Sequence, residues 1–398
     1  MRKIAVKVLI CFVTMCCAIP ACGRAEGAWS REMRLTDYPS DAWAPAMATE
    51  PEGFVHLVWP DGRSGDVEVY HKEWDGEEWG EDERLTVADG ESRRPQVATD
   101  PWGRVHVVWA DKRDGDFEIY YKMRDGDAWT ADQRLTFEPH NQSYPSVAAD
   151  HTGQVHIVWS DHRVPGTSEI YYKRGDGLAW EDEIALTENG AFSGKPTIVA
   201  CPGGEVHVAW YDSREGVNEV FYKYWDGWEW SEDVRLSDSL TGSWYQSMAV
   251  DSMENLHVVW LDKQDGNWEV YYRKKSMTGW DEAERLTHND AWSGTPAVCV
   301  DDSARVHVVW RDTRDGNSEI YYMGWNETRW TNETRLTHSP STSQRPAVGV
   351  DGDGLILAIY VDHKDGDEAL YWVKGILPFV TSIGERDVYI PGQSDSFP

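Results

Sequence analysis

The sequence predicts an all-β protein, a seven-bladed β-propeller with four strands in each blade. Three observations lead there. A Trp closing a V-H-V-V-W-like strand recurs at Trp59, Trp109, Trp159, Trp210, Trp260 and Trp310, with Tyr360 in its place the seventh time, at spacings of 50 or 51 residues. Between these marks β-branched and aromatic residues alternate with polar ones, a strand period and never a helical one. Finally, the last unit lacks its fourth strand, while a spare copy, AWSREMRLT from Ala28 to Thr36, stands before the first unit.

Each unit reads as four short strands. The first is P-x-V-A-x-D, as in Pro145 to Asp150; the second is V-H-V-V-W; the third is E-I-Y-Y-K. The fourth runs from the following Trp through R-L-T. Thr152-Gly153, Asp125-Gly126 and their counterparts supply the turn chemistry between them. Four strands repeated seven times without helices indicate a propeller. The N-terminal strand is expected to close blade seven as its outer edge, which removes the open edges of a stack. The propeller thus spans residues 28–374. Residues 375–398 form a C-terminal extension in which Ile376, Leu377, Phe379 and Val380 are expected to pack on the ring while the polar end frays.

Ahead of the ring, residues 1–25 read as an export signal: Arg2, Lys3 and Lys7, an apolar run from Val8 to Ile19, then small residues. Ile19-Pro20-Ala21-Cys22 loosely matches a lipobox, which offers Cys22 as a lipid anchor and the only expected link to a membrane. The protein is therefore expected to be secreted, or periplasmic or cell-surface if lipidated, and a monomer. Its formal net charge of −31 excludes nucleic acid and anionic lipid as natural partners. Four of the six Cys lie in or beside the signal, so no disulfide framework is expected, and Cys201 and Cys299 read as core residues. With 23 Trp in the chain, aromatic side chains must be structural in bulk.

Residues found in every unit are weighed first as structure. The Trp series suits the wedge between neighbouring sheets. Tyr120/Tyr121, Tyr171/Tyr172, Tyr271/Tyr272 and Tyr321/Tyr322 point to opposite faces of a middle strand and reach both adjacent blades. His56, His106, His156, His207, His257 and His307 occupy one repeat position, one per blade, too dispersed to chelate a metal. They are expected to be hydrogen-bonded between blades, with packing that weakens in acid. The turn after each Trp carries Asp61, Asp111, Asp161, Asp212, Asp262, Asp312 and Asp362. Two residues on stand Arg63, Arg113, Arg163, Arg214 and Arg314, with Gln264 and Lys364 in the other two blades. These either brace the turn or ring the channel mouth with guanidiniums that bind acidic glycans. Asp114, Asp116 and Glu118 sit in one such turn without a complete calcium-loop spacing, so no metal or other cofactor is assigned.

The run S-x-x-P-x-V-A-x-D-x-x-G-x-V-H-V-V-W-x-D-x-R-D-G-x-x-E-I-Y-Y-K, seen in Ser143 to Lys173 and Ser293 to Tyr322, resembles repeats of exported bacterial proteins in the sialidase-like, BNR/Asp-box propeller superfamily. Asp125-Gly126…Trp129, Asp176-Gly177…Trp180 and Asp226-Gly227…Trp230 look like a degenerate Asp-box. The resemblance implies the propeller fold and a link to glycans. Sialidases of that superfamily are usually six-bladed and use three arginines, an Asp acid/base, and a Tyr nucleophile with a Glu. Here the arginines are one position repeated, and no catalytic residue carries over.

An active site must break the repeat symmetry, because its groups have different jobs. Aromatics break it here: Trp43, Tyr144, Phe192, Trp244, Tyr245 and Trp292 lie in the loops that lead from one blade's fourth strand to the next blade's first. Flat apolar area beside polar groups suits sugar or protein recognition. The reading is therefore a non-catalytic exported propeller that binds extracellular glycan or protein at the channel mouth. Its expected ligand-binding residues are Arg63, Arg113, Arg163, Arg214, Arg314, Trp43, Tyr144, Trp244, Tyr245 and Trp292. The alternatives are a sialidase-like glycoside hydrolase or polysaccharide lyase, or a structural cell-surface protein.

Overall fold

The computed structural model describes residues 29–37, 39–326 and 328–376 and folds them into seven antiparallel sheets. Among these residues every regular element is a strand. In blade two the strands are Ser92–Thr99, Val105–Asp111, Glu118–Asp125 and Gln133–Arg134, with the short Ala128–Trp129 beside the last. The first strands of neighbouring blades touch one another, which sets them around the axis. Blade seven consists of Gln344–Val350, Ile356–Asp362 and Ala369–Gly375, and its outer strand is the N-terminal Met33–Arg34. Met33 lies opposite Trp372 and Arg34 opposite Tyr371, so the two ends of the chain close the ring as expected. The export signal with Cys22, and the extension from residue 377, lie outside the described residues.

Every second strand is buried or nearly so along its whole length, because both of its faces meet another blade. Trp109 is fully buried against Val58, Val69 and Leu85 of the preceding blade, the wedge position expected for this series. A second aromatic crosses each of the seven blade interfaces. The Trp of the third-to-fourth turn meets a ring on the preceding blade at 4.9–6.0 Å between centroids: Trp180 on Tyr121, Trp230 on Tyr172, Trp280 on Tyr222, Trp330 on Tyr272, Trp29 on Tyr322, Trp79 on Trp372 and Trp129 on His71. Each such pair is worth roughly 0.5–1.5 kcal/mol beyond its buried area. Cations on the third strands add a polar stitch: Lys72, Lys173 and Lys223 donate to the carbonyls of Leu35, Leu135 and Leu186 on the preceding blade at 2.9–3.0 Å.

The histidines differ from expectation in one respect: their partners belong to their own blade. Nδ1 of His106, His156, His207, His257 and His307 meets the hydroxyl of the third-strand Tyr at 2.6–3.0 Å. Nε2 faces the Asp that ends the first strand, as His156 does Asp150 at 3.2 Å. That Tyr stands on the third strand, paired with the second strand in the same sheet. Blade four has Cys201 where blade one has Glu50 and the other five have Asp; it lies 3.0 Å from His207, and burial pushes its thiol up to about 12.

Glu32 accepts from the Tyr360 hydroxyl at 2.9 Å and the His338 backbone N–H at 2.7 Å, and it pairs with the Lys364 ammonium across the seam. Glu32→Ala strands those donors and should cost about 2–3 kcal/mol, read as a lower denaturant midpoint with faster amide exchange in blade seven. Burial holds the imidazoles of His106, His207, His257 and His307 below their ordinary pKa, His207 down to about 3. Below about pH 6.5 the unfolded chain then binds more protons than the folded one, so stability is full above that pH and falls as pH drops towards 3. His207→Asn should flatten this slope by up to about 1.4 kcal/mol per pH unit; an unchanged slope would remove His207 from the account.

Candidate functional site

The turn after each second strand decides what the arginine series does. Asp111 is fully buried and accepts from Trp109 Nε1 at 2.7 Å, Ser92 Oγ at 2.9 Å and the Arg113 backbone N–H at 3.0 Å. It also takes two guanidinium donors of Arg113, at 2.8 and 2.6 Å. The third arm of Arg113 donates to Asp132, ahead of the outer strand, at 2.8 Å, and the guanidinium lies over Tyr120, 4.5 Å from the ring centroid. Arg63, Arg163, Arg214 and Arg314 repeat the clasp with Asp82, Glu183, Asp233 and Glu333. Blade five has Gln264 in place of the arginine and Ala283 in place of the outer carboxylate, so both charges are absent together. The expected ring of guanidiniums facing the mouth is therefore not formed. Two carboxylates fixed in the same blade hold each of Arg63, Arg113, Arg163, Arg214 and Arg314.

What surrounds the mouth is a different repeat position. Ala44, Arg94, Tyr144, Lys195, Tyr245, Thr295 and Arg345 all have left-handed φ, between 43° and 56°. Six of the seven precede a proline, from Pro45 to Pro346, and the seventh precedes Gln246. A residue before proline favours extended backbone, and a side chain at positive φ costs roughly 1–3 kcal/mol. In blades two to seven the residue sits inside a bulge of the first strand, as between Arg93 and Gln96 or Gly194 and Thr197. A bulge re-aims a side chain, and on an axial strand it sends these residues towards one another.

Their contacts run from blade to blade. Arg94 lies over Tyr144, 3.8 Å from the ring centroid; Lys195 Nζ is 5.1 Å from Tyr144 and 3.9 Å from Tyr245. Arg345 and Arg93 flank Trp43 at 5.4 and 5.5 Å, and Arg311 lies over Trp292 at 3.9 Å. No described carboxylate forms an ion pair with Arg94, Lys195, Arg311 or Arg345; Glu368, whose carboxyl burial pushes up, feels the charges of His363 and Arg345. Burial, with repulsion from Arg94 and Arg345, brings Lys195 down to about 8. Burial likewise holds Arg94 and Arg311 below the ordinary arginine value, and Arg345 opposes Arg311 further. Groups on blades two, four, six and seven thus act on one another across the axis.

Beside this mouth, between blades two, three and four, lies a cavity of about 570 Å³. Arg94, His140, Tyr144, His162, Phe192 and Tyr211 are among its lining residues, which include no Asp or Glu. Phe192 stacks on Tyr211 at 6.1 Å and meets His162 at 5.9 Å, while Trp244 tilts against Tyr211 at 5.1 Å. Gly194 allows this arrangement, because a Cβ there would stand 2.7 Å from Tyr211 Oη and 3.1 Å from the Phe192 ring. Burial and the neighbouring Tyr144 and Tyr245 push the Tyr211 hydroxyl above its ordinary pKa, so it keeps its proton at neutral pH.

Of the residues expected from sequence, Trp43, Tyr144, Trp244, Tyr245 and Trp292 are brought together here and the five arginines are not. Sequence reasoning missed Arg94, Lys195, Arg311, Arg345, His162 and Tyr211. One signal was available: the position before the first-strand proline reads Ala, Arg, Tyr, Lys, Tyr, Thr, Arg, while the proline after it recurs in six blades and a Ser two residues before it in five. At Asp114, Asp116 and Glu118, the first pairs with Arg134 at 3.2 Å, the second accepts from the His140 N–H, and the third accepts from Thr136 and Arg134 at 2.6 Å. Among the described residues no cluster of three or more His, Cys, Asp or Glu is placed to hold a metal ion.

No family model matches the sequence, and no curated protein is similar to it. Solved structures do share its fold. An ulvan lyase, a polysaccharide lyase bound to -[GlcA(1-4)Rha3S]-, superposes with a TM-score of 0.60 at 10 % identity, covering 88 % of this chain and 94 % of its own. A Dyadobacter fermentans protein of unknown function gives 0.57 at 10 % identity over 88 % and 99 %. An α-L-arabinanase of Penicillium chrysogenum gives 0.54 at 10 % identity over 89 % and 99 %. The fold is one that glycan-acting propeller enzymes use.

Lys195 offers a direct check on the electrostatics. At pH 8 about half of its amine is neutral, given its value of about 8, so an acylating reagent should label it ahead of the other lysines in a peptide map. Arg94→Ala removes a repelling charge, raises the Lys195 pKa and should slow that labelling at pH 7.5.

Proposed function

We propose that the protein binds an acidic polysaccharide at the channel mouth and cleaves it by β-elimination beside a uronate. The observation that carries this reading is the cavity of about 570 Å³, lined by an arginine, two histidines and two tyrosines without an acid, in a chain of net charge −31. Elimination needs three things: a cation on the carboxylate to acidify the adjacent C–H, a base to take that proton, and an acid for the departing oxygen. Arg94, held over Tyr144, supplies the cation. His162 takes the C5 proton, the electron pair forms the C4=C5 double bond, and the C4–O bond breaks. Tyr211, which keeps its proton, gives it to the leaving glycosidic oxygen.

A hydrolase that works through two carboxyls about 5–9 Å apart gets no support from the lining of this cavity. The polysaccharide lyase that shares the fold lends the elimination reading support, and an export signal over residues 1–25 would bring the protein to such a substrate outside the cell. Incubating the purified protein with uronate polysaccharides and following absorbance near 235 nm, the signature of the unsaturated product, tests the proposal. Turnover is expected, falling at least a hundred-fold in His162→Ala and Tyr211→Phe. Saturable binding without any new absorbance would leave a non-catalytic glycan-binding propeller, and absence of both would overturn the reading.

A further inference from the structure

We infer that the mouth carries a second anion site, formed by Lys195, Arg311 and Arg345 around Tyr245, that takes an acidic substituent of the glycan away from the cleaved linkage. It rests on the reading above only in taking the ligand to be an acidic polysaccharide. The substituent is an oxoanion, a sulfate ester or a further carboxylate.

The three cations come from blades four, six and seven, and none of them is among the residues that line the cavity of Arg94, His162 and Tyr211. Each is backed by an aromatic face: Lys195 by Tyr245 at 3.9 Å, Arg311 by Trp292 at 3.9 Å and Arg345 by Trp43 at 5.4 Å. Stacking fixes the heads and leaves their donors unspent. Arg311 reaches Gln344 Oε1 with one arm at 3.4 Å, while its Nε is buried without a partner among the described residues. Thr295 Oγ1, the next ring position after Tyr245, is buried and unpaired as well. Unmet buried donors are expensive, and 69 acidic residues stand against 38 basic ones in this chain. Five of those basic residues, the clasp arginines, each have two carboxylates. Three cations gathered on one axis without an ion pair are stable company only for an anion that arrives from outside. A guanidinium fork matches the geometry of sulfate and carboxylate oxygens, and the intervening aromatic faces suit the sugar that carries them.

Lys195 ties the site to pH. The groups that face it are the guanidiniums of Arg94 and Arg345 and the rings of Tyr144 and Tyr245. A bound anion favours the ammonium form, so affinity holds below pH 8 and declines as pH rises past it.

The test measures binding of dextran sulfate, polygalacturonate and unmodified dextran at constant ionic strength and pH 7. Lys195→Gln and Arg311→Gln should each weaken binding of an acidic polymer by about ten-fold or more, the scale of one charged hydrogen bond. Arg345→Gln, an exposed position, should do so with the fold intact. Loss confined to dextran sulfate identifies a sulfate site, and loss confined to polygalacturonate a carboxylate site. Wild-type affinity for both polymers in all three variants overturns the inference, whether or not the protein turns over a substrate. Loss of binding in a protein that shows no elimination overturns the lyase reading alone and leaves this site standing.

Discussion

The ring depends on one buried carboxylate per blade, the aspartate at the turn after the second strand. Burying an ion is costly unless hydrogen bonds replace its water. Asp111 meets that condition with donors from three places: Ser92 on the first strand, Trp109 on the second and Arg113 in the turn. Through Arg113 it reaches Asp132 and so the outer strand. One side chain therefore ties together the full width of a blade. It also holds the indole of the wedge Trp in one orientation, which is what lets the next sheet pack on it. Blade seven keeps the scheme with borrowed parts, since Glu32 from the N-terminal segment pairs with Lys364 and receives the Tyr360 hydroxyl. Closure of the ring is thus a charged contact as well as a two-residue strand pairing.

A frame fixed so thoroughly can hold strain elsewhere. The left-handed residue before each first-strand proline is unfavourable by itself, and seven of them persist because both flanks of the bulge are locked to the second strand. On six blades the proline after it removes a backbone donor where the bulge breaks the ladder, the place in a sheet that tolerates it. Framework and site are thereby separated within one repeat. The framework positions hardly vary from blade to blade. The pre-proline position varies freely, because its side chain leaves the sheet, and its variety supplies the differentiated groups that chemistry requires.

That separation explains which parts of the molecule were legible in the sequence. Blade number, N-terminal closure and the packing of Trp59 and its successors are properties of every unit, and repetition made them plain. The arginines were misjudged because the sequence shows a charge without showing its partner. Asp132 stands nineteen residues beyond Arg113, and only the fold brings the two together. Blade five held the clue, with Gln264 and Ala283 losing both charges at once. Half of the mouth was readable, since Tyr144, Tyr245 and Trp292 announce themselves as irregular aromatics. The cations between them were not, because nothing in X-Pro as written says that X turns left-handed and leaves the sheet. Arg311 was hidden differently, one residue after a core Trp on a strand that is otherwise buried.

The contrast between body and mouth then becomes a device for selection. An acidic polysaccharide is repelled by most of a surface with net charge −31, and non-specific adhesion of such a polymer to the blades is disfavoured. Screening confines each charge to about 8 Å at physiological ionic strength, so the acidic body does not cancel the mouth. Within that radius the proposed ligand would meet Arg94, Lys195 and Arg311, whose partly buried surroundings strengthen attraction, and the exposed Arg345, none of them in an ion pair with a described carboxylate. Besides burial, Arg94 and Arg345 hold Lys195 down and Arg345 holds Arg311 down, a cost the empty protein carries and that the proposed acidic ligand would relieve. On the proposed reading, affinity at the mouth would draw on repulsion already built into the free molecule, among side chains that the first-strand bulges aim towards one another.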